Sequence, residues 1–524
     1  MSESDNNSHR SAESLLTSEL FDFCSSDSLS EDGLREIIER YGLNDDRHGS
    51  DYDFFLEVCA NERVTEGIIR YLLEYFPGAA SSTNEDKGSP LYFLHFACSN
   101  PNATRNIVQL LIDAAPDSVR KENVDGWMPL HCLCRNVDVD KTIAIEILKL
   151  LIEKCPEAIR HAENDGFLPI HMAAYYSDPQ FCRVLIEAYP GSESERTRDD
   201  EGALPLHCAC ATNTVATVDH FYKLYPDAIN HANTHGSYPV HFALDGLIED
   251  SQVDVAENVE YLLKCDPNVK LQKSNGFSLL HIVCDLEYND SNIEAGIQVI
   301  KVVYDAHPEA IEENEFASEI PLYHQQVQAF INAQLVYSRQ AKDHRLMMTP
   351  DGNGQLPLHT ALQSNVRLGS IKLLVKGNPS AIRNFDNSGV IPLHMACQHH
   401  DSACVVQYLL DLDRRTLRVA DFENNTALHY ACRGAKYESI ALLLEKYDAV
   451  SVSKRNAQNK LPIDLLWESN EVLDRESVEY TESVFRLLKA YPETVIDCIV
   501  SMKQQIKSED YPSQNGKKRK YGNA

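Results

Sequence analysis

Apolar residues recur along the chain at helical spacing, in short blocks that come in pairs separated by polar loops. In residues 200–229, Gly202 marks a turn, because glycine adopts the positive φ that other residues resist. Pro205 suits the first turn of a helix and opens the short block LHCACAT. The longer block VATVDHFYKLY has helical apolar spacing and ends before Pro226, because proline cannot continue a helix. The pattern predicts a turn, a short first helix, a loop and a longer second helix.

This unit repeats along most of the chain. Its P-L-H motif recurs with 36, 40, 36, 34, 40, 78, 35 and 35 residues between successive histidines, and the gap of 78 holds two units. Weaker copies have Tyr323 or Asp464 in place of the histidine, and FFLEVCAN at 54–61 is a first copy without the proline. About eleven copies of one unit indicate a solenoid of stacked repeats. The motif histidines are His95, His131, His171, His207, His241, His281, His359, His394 and His429.

The turn glycine repeats together with the histidine. We expect positive φ at this position, where Asn425 replaces glycine once and the other units have Gly126, Gly166, Gly202, Gly236, Gly276, Gly354 and Gly389. From the proline after a second helix to the next motif residue there are 14 or 15 residues in six units. From the motif histidine to that proline the length varies between 19 and 27 on the same count. The constant stretch is expected to contact neighbouring units, and the variable one to be a free loop.

The helix-loop-helix plan and the motif G-x-x-P-L-H-x-A resemble ankyrin repeats over residues 50–498. The resemblance implies an all-α ankyrin-repeat solenoid of stacked helix-loop-helix units joined by β-hairpin-like turns. Where the family has Thr before the proline, this chain mostly has Leu, Ile or Tyr, which removes a hydroxyl cap and predicts an additional apolar contact between hairpins. The L-P-L-H-x-A-C version of the motif resembles the expanded ankyrin sets of algae such as diatoms.

The repeats and the segments outside them predict six regions, with a bend or seam of the array at the irregular repeat. CSSDSLSED at 24–32 is a candidate for acid-directed phosphorylation. The regions are a disordered Ser-rich acidic tail at 1–33, a short helical cap at 34–49, a first ankyrin block at 50–311, an irregular repeat with a long helix at 312–349, a second ankyrin block at 350–498 and a C-terminal tail at 499–524.

Composition narrows the expected location and partners. The net charge of −31 opposes binding to nucleic-acid phosphates and favours a protein partner. No run of 18 apolar residues occurs and the start is too polar for a secretory signal, so we expect no membrane insertion. Fifteen cysteines spread along the chain fit a reducing intracellular compartment better than a disulfide scaffold. We expect a monomeric array in the cytoplasm or the nucleus, the latter through the basic residues Lys517, Lys518, Arg519 and Lys520.

Six motif histidines have Cys three residues later, as in His207 and Cys210, a spacing that a metal pair or a thiol nucleophile could use. In the other three units this position is Ala174, Leu244 or Leu362, which pack like a thiol and ligate nothing. An active site would also occur once rather than along the whole array. We therefore expect no catalytic, cofactor-binding or metal-binding residue, and a histidine that bridges backbone groups of adjacent turns, as the resemblance to ankyrin repeats implies.

The same resemblance places candidate partner contacts after the turn glycine and at the end of the first helix. Aromatic residues contribute most at protein interfaces, which singles out the aromatic candidates; packing of Trp127 and Phe167 on the preceding hairpin is an equal alternative. His399 and His400 form an unrepeated pair that is expected to be exposed. The candidates are Trp127, Arg135, Asn136, Phe167, Tyr175, Tyr176, Phe277, Asp285, Gln355, Gln363, Gln398, His399 and Arg433.

The expected function is a non-enzymatic scaffold or adaptor that binds a polypeptide on the concave surface formed by hairpin tips and first helices. A regulatory subunit of a multiprotein enzyme is one alternative, and it differs only in its partner. A thiol- or metal-dependent protein that uses the His-x-x-Cys pairs is the other, and bound zinc at several equivalents would support it.

Overall fold

The computed structural model describes residues 19–41, 53–77, 83–84, 89–90, 92–248, 254–312, 323–446, 452–469 and 475–490. The chain divides into two compact units, Met1–Val303 and Tyr304–Ala524. The predicted tail residues Lys517 to Lys520 lie outside the described residues, so the nuclear signal stays a prediction. Each repeat is named after the residue at its motif position, such as the His171 repeat.

The first unit consists of paired helices that stack on one another. The first helix of the His171 repeat, for example, packs between those of the His131 and His207 repeats. The first helices are Asp53–Ala60, Phe93–Ser99, Pro129–Arg135, Pro169–Tyr176, Pro205–Thr212, Pro239–Asp245 and Leu279–Asp285. The second helices are Glu66–Tyr75, Arg105–Ala114, Lys141–Lys154, Pro179–Ala188, Val215–Leu224, Val255–Cys265 and Ile293–Ala306, within which the unit ends.

The second unit has the same plan after an irregular start. Gln325–Lys342 is a single helix of 18 residues, followed by His344–Met348, at the place where the sequence lacks the loop and the second proline. The first helices after it are Pro357–Gln363, Pro392–His399, Ala427–Arg433 and Pro462–Glu468, and the second helices are Leu368–Gly377, Ala403–Leu412, Tyr437–Lys446 and Val478–Ala490.

Proline and leucine of the motif explain why each first helix begins and packs where it does. Pro169 occupies the first turn, where its missing N–H costs no hydrogen bond. The motif leucine is buried in both units, as Leu206 and Leu393 show at 1% exposure, and each such side chain stabilises the stack by about 2 kcal/mol. The residues before the proline are buried, as Leu168 and Ile391 show, while the predicted apolar contact between hairpins stays a prediction.

In most repeats the proline after a second helix begins a short 3₁₀ helix; the exceptions are Ser192–Ser194, which begins two residues after Pro190, and Arg414–Arg418, which has no proline. In the His131 repeat the α-helix ends at Lys154, and Pro156–Arg160 follows as a 3₁₀ turn. The chain then turns at a hairpin tip, and two of these connections have paired strands, Thr83–Asn84 with Ser89–Pro90 and Lys273–Ser274 with Phe277–Ser278. The other 3₁₀ helices are Pro116–Arg120, Ser192–Ser194, Pro226–Asn230, Pro267–Leu271, Pro308–Glu312, Pro379–Arg383 and Arg414–Arg418.

Successive hairpin tips are joined by backbone hydrogen bonds. In the first unit the N–H of Arg198 donates to the carbonyl of Gly166, at 2.8 Å, and the N–H of Thr234 donates to that of Glu201, at 2.8 Å. In the second unit the N–H of Ala457 donates to the carbonyl of Glu423, at 2.7 Å. The tips of neighbouring repeats are therefore held in register by the main chain, whatever side chains they present.

Two features of the structure differ from those expected from the sequence. Residues 19–33, predicted to be a disordered tail, are described by the structure, with Leu20, Cys24 and Leu29 buried and the helix Glu31–Tyr41 beginning before the predicted cap. The Asn61 amide donates to the carbonyls of Cys24 and Ser26, both at 2.9 Å, as Asn100 does one repeat later to those of Cys59 and Asn61. Residues 19–41 thus pack against the repeat that follows them, although they lack the motif.

The second misplaced feature is the substitute for the turn glycine in the His429 repeat. Positive φ occurs at Asn424, at 62°, and not at Asn425. Asn425 is buried, and its amide donates to a carboxylate oxygen of Asp421 at 2.9 Å. The predicted glycines do have positive φ, between 61° for Gly202 and 87° for Gly276.

Candidate functional site

The motif histidine links its own helix to the next turn. In the His171 repeat the Leu168 N–H, otherwise unpaired at the start of the helix, donates to Nδ1 at 3.1 Å. Nε2 lies 3.0 Å from the carbonyl oxygen of Glu195, 24 residues further along. The same two links occur at His359, His394 and His429 in the second unit.

These contacts determine the protonation of the ring. Because Nδ1 accepts a backbone N–H, the ring proton is on Nε2, from which it donates to the carbonyl. Burial opposes the charged form and lowers the pKa of His171 and His394 to about 4. It lowers the pKa of His207 further, to about 3. These three rings are therefore neutral near pH 7, and in the four linked repeats both nitrogens are occupied by the backbone.

Some motif rings use only one nitrogen. His131, His207 and His241 accept the N–H at the start of their helices through Nδ1, at 3.1, 3.1 and 2.9 Å. Their Nε2 atoms are buried with no hydrogen-bond partner among the described residues. In the last repeat Asp464 replaces the histidine, and its carboxylate accepts the Leu461 N–H at 2.8 Å. The link to the first-helix N-terminus is thus retained in these repeats even where the imidazole is lost.

The motif cysteines are buried beside these helices. Cys210 and Cys397 are at most 1% exposed, and burial raises the pKa of both thiols. Within the described residues no group of three or more His, Cys, Asp and Glu side chains could hold a metal ion. The arrangement of these residues favours packing over thiolate chemistry, which needs an ionised and accessible sulfur.

The aromatic candidates of the first unit form a group within the His171 repeat, which we call the aromatic group: Phe167, Tyr175 and Tyr176. The Phe167 and Tyr175 ring centroids are 6.1 Å apart, and those of Tyr175 and Tyr176 are 5.7 Å apart. Burial raises the pKa of Tyr175, while Tyr176 is 39% exposed. An exposed ring supported by two partly buried rings is a preorganised contact surface.

The other candidates of the first unit lie in different repeats from the aromatic group. Trp127 is half-buried, and the Arg135 guanidinium lies 5.4 Å from its ring centre, within range of a cation–π contact. Phe277 is 37% exposed and its ring lies 4.5 Å from that of His281. Asp285 is exposed at the end of its first helix.

Asn136 has a different role from the one predicted. Its side-chain amide donates to the carbonyls of Cys98 and Asn100, both at 3.0 Å, so both its N–H groups are used by the preceding repeat. Asn213 does the same for Ala174 and Ser177, at 3.0 and 2.8 Å. We assign Asn136 to stacking, because an amide that pairs two buried carbonyls is not available to a partner.

The second unit gathers three candidates around one pocket. Gln398, His399 and Arg433 line a pocket of about 460 Å³, together with residues of the Asp464 repeat. Gln363, in the preceding repeat, is exposed, and Gln355 is half-buried, with its amide 3.3 Å from an Asp386 carboxylate oxygen. The first-helix positions predicted from separate repeats therefore come together here.

His400 does not fit the expected exposed pair. It is 4% exposed, its Nδ1 accepts the Ser402 N–H at 3.1 Å, and its Nε2 lies 2.8 Å from the Val366 carbonyl oxygen. It takes the place that Asn136 has in the first unit, a link from the end of a first helix to the preceding repeat. His399 alone is half-buried at the pocket.

Three exposed apolar side chains were missed. Val124 and Phe422 are each 75% exposed at hairpin tips, and Phe385 is 54% exposed just before one. A signal was present, since Val124 and Phe422 stand two residues before the turn glycine or its substitute, where other units have Asn164 and Asn387. Apolar residues in place of asparagine at a tip indicate contact with something outside the hairpin.

Comparison with known proteins agrees with the fold. The family model for ankyrin repeats matches residues 94–198 and 358–456, with three copies. The search of curated proteins found no match to this chain. Among the described residues, no helix combines the length and apolar character needed to cross a membrane. Ankyrin repeats are generally protein–protein interaction modules. Residues 94–198 and 358–456 therefore contain ankyrin repeats, and the stacked helix pairs within each unit fit an all-α repeat solenoid.

Proposed function

We propose that this chain is a non-enzymatic scaffold or adaptor that binds a polypeptide on the face made by its hairpin tips and first helices. The aromatic group carries the proposal, because exposed Tyr176 lies against Tyr175, which in turn lies against Phe167. Tyrosine and tryptophan offer large contact area with few rotatable bonds and are common energetic centres of interfaces.

The buried histidines and thiols support the non-enzymatic part of the proposal. Their polar atoms pair with the backbone or are buried in the stack, as His171 and Cys210 show. A general base or nucleophile must reach a substrate, and these groups lie between repeats. In the His394 and His429 repeats, which have the His-x-x-Cys pair, the metal-dependent alternative would need the imidazole to break its hydrogen bonds with the backbone.

The test is affinity capture with the full chain from cells that express it, followed by titration of the captured partner. Trp127→Ala combined with Tyr176→Ala should weaken binding about tenfold or more, because aromatic anchors contribute about 2 kcal/mol each at interfaces. Phe485→Ala is the matched control, since Phe485 is 64% exposed on a second helix, away from this face.

Thermal unfolding separates a lost contact from a lost fold. The Phe485→Ala chain should melt within about 2 °C of the parent chain, because a single exposed side chain contributes little to stability, and the double variant should melt only about 4 °C lower, because Trp127 is half-buried. A double variant that keeps full affinity for the same partner, or a Phe485→Ala chain that loses as much, would contradict the proposed face.

A further inference from the structure

The pocket of the second unit is formed by equivalent positions of three consecutive repeats. Its walls come from the ends of the first helices Pro392–His399, Ala427–Arg433 and Pro462–Glu468. Its volume of about 460 Å³ is in the range of ligand-binding pockets. The residues that matter for its chemistry are Gln398, His399, Arg433, Lys436, Glu468 and Ser469.

A glycine shapes the pocket between the first two of these helices. A Cβ atom on Gly434 would lie 2.1 Å from the carbonyl oxygen of Gln398, so the two backbones approach as closely as only glycine allows. On the other side, the Ser469 hydroxyl donates to the Arg433 carbonyl at 2.7 Å. The pocket is therefore bounded by backbone contacts between neighbouring repeats.

The charges around the pocket do not cancel. Lys436 pairs with Asp401 at 2.6 Å, and Lys460 pairs with Glu468. The two side-chain contacts of Arg433 are with neutral groups: its guanidinium lies 5.2 Å from the Tyr430 ring centre, and Nη2 is 3.4 Å from the Asn425 side-chain oxygen. Tyr430 and Asn425 are in turn hydrogen-bonded to the Asp421 carboxylate. Among the described residues no carboxylate forms an ion pair with Arg433, although the chain carries a net charge of −31.

We propose that this pocket binds an extended acidic peptide, with an Asp or Glu carboxylate of the peptide pairing with Arg433. A guanidinium offers five N–H donors in a planar fork that matches a carboxylate, and at most one of them is occupied in this chain. Glu468 is held by Lys460, which reduces its repulsion of the incoming group. The Gln398 amide and the Ser469 hydroxyl provide neutral hydrogen-bonding groups on either side.

The geometry favours a peptide over a compact metabolite. Packed helices are about 8–10 Å apart, so three adjacent helix ends span about 20 Å. An extended chain covers that distance in about six residues, at about 3.3 Å per residue. The inference rests on the proposed function only in taking a polypeptide as the occupant, and it concerns a site in the other unit from the aromatic group.

The test uses synthetic hexapeptide mixtures in which one fixed position is Glu, Gln or Lys and the other positions are randomised. The full chain should bind the Glu mixture about tenfold more tightly than the Gln mixture, and binding should weaken with added salt. Arg433→Gln should abolish that preference. Arg414→Gln removes an exposed arginine of a 3₁₀ helix and should leave it intact.

A second variant changes the pocket in the opposite direction. Glu468→Gln removes a negative charge and releases Lys460, so affinity for the Glu mixture should rise by about two- to threefold. Equal binding of the Glu and Gln mixtures, no binding of any mixture, or an unchanged preference in Arg433→Gln would overturn the inference. Because no natural partner is used, each of these results is independent of the capture experiment on the aromatic group.

Discussion

The aromatic group of the first unit and the pocket of the second unit occupy equivalent places in the repeat. Tyr175 and Tyr176 stand four and five residues after His171, and Arg433 and Gly434 stand four and five residues after His429. The first place presents stacked rings, and the second presents an arginine without a carboxylate partner. Beneath both, the imidazole makes the same two backbone links, at 3.1 and 3.0 Å in one repeat and 3.1 and 3.3 Å in the other.

This comparison separates two classes of position. Residues that repeat, such as His171 and His429, hold the stack together through main-chain contacts that do not depend on surface chemistry. Residues that vary, such as Tyr176 and Arg433, decide what the surface can bind. A disturbance of the first class should therefore affect both regions, whereas a substitution of the second class should affect only one of them.

Acid should have the largest effect, because it acts on the shared histidines. An unfolded histidine has a pKa near 6.5 and takes up a proton first, while the folded pKa is about 4 in both His171 and His429. The free energy of unfolding should then have its full value above about pH 6.5 and decrease as the pH drops towards 4. Each histidine contributes up to about 3 kcal/mol of this loss.

Urea unfolding at pH 7.5, 5.5 and 4.5 measures the effect, and two substitutions isolate it. His171→Gln keeps an acceptor for the Leu168 N–H but cannot be protonated, so the unfolding midpoint should depend less on pH. His235→Gln changes an exposed histidine and should leave the slope as it is. If the unfolding midpoint of His171→Gln depends on pH as strongly as that of the parent chain, the acid sensitivity does not come from the imidazole links.

A smaller effect should distinguish two turn glycines of the first unit that have nearly the same φ, 84° at Gly166 and 80° at Gly236. A Cβ on Gly166 would lie 2.3 Å from the Asp199 nitrogen at the next tip, whereas a Cβ on Gly236 meets nothing within 4 Å. Gly236→Ala should cost about 1 kcal/mol of conformational strain, and Gly166→Ala about 3 kcal/mol, because backbone of the next repeat must also shift.

Chemical denaturation of the two alanine variants measures both losses in the free energy of unfolding under one condition. If they lose the same stability, the tip-to-tip contact at Gly166 contributes nothing beyond its own φ, and the register of neighbouring tips must be set elsewhere. If Gly166→Ala is the more damaging change, the tips are part of the shared scaffold that both regions use.

The sequence predicts the features that recur and misses those made by contacts between repeats. The period reveals the motif histidine and the turn glycine, because each copy confirms the others. The roles of Asn136 and His400 depend on carbonyls 34 to 38 residues earlier, and no local pattern marks such pairs. Residues 19–33 lack the motif, and their packing on the repeats shows only in the burial of Leu20 and Cys24 and in the hydrogen bonds from Asn61.

The two candidate sites also differ in how well the sequence predicts them. Tyr176 is found from its residue type and its position in the repeat, since an aromatic residue at the end of a first helix stands out against Thr212 or Gln363. The pocket of the second unit could not be predicted from the sequence. Its walls come from three helices, and its charge depends on which lysine side chains already form ion pairs. The residue with positive φ in the His429 repeat is Asn424, one position before the predicted Asn425, and only the backbone φ shows this difference.

The central claim is that the motif imidazoles are neutral links within the stack. Nitrogen-detected NMR of the chain labelled with ¹⁵N-histidine tests it directly, with a titration from pH 8 to 4. The claim predicts a group of rings with the proton on Nε2 at pH 7 that do not titrate until the pH falls well below 6, and that do not respond to added zinc. Motif rings that titrate near pH 6.5 with exchanging tautomers, or that shift when zinc is added, would contradict it.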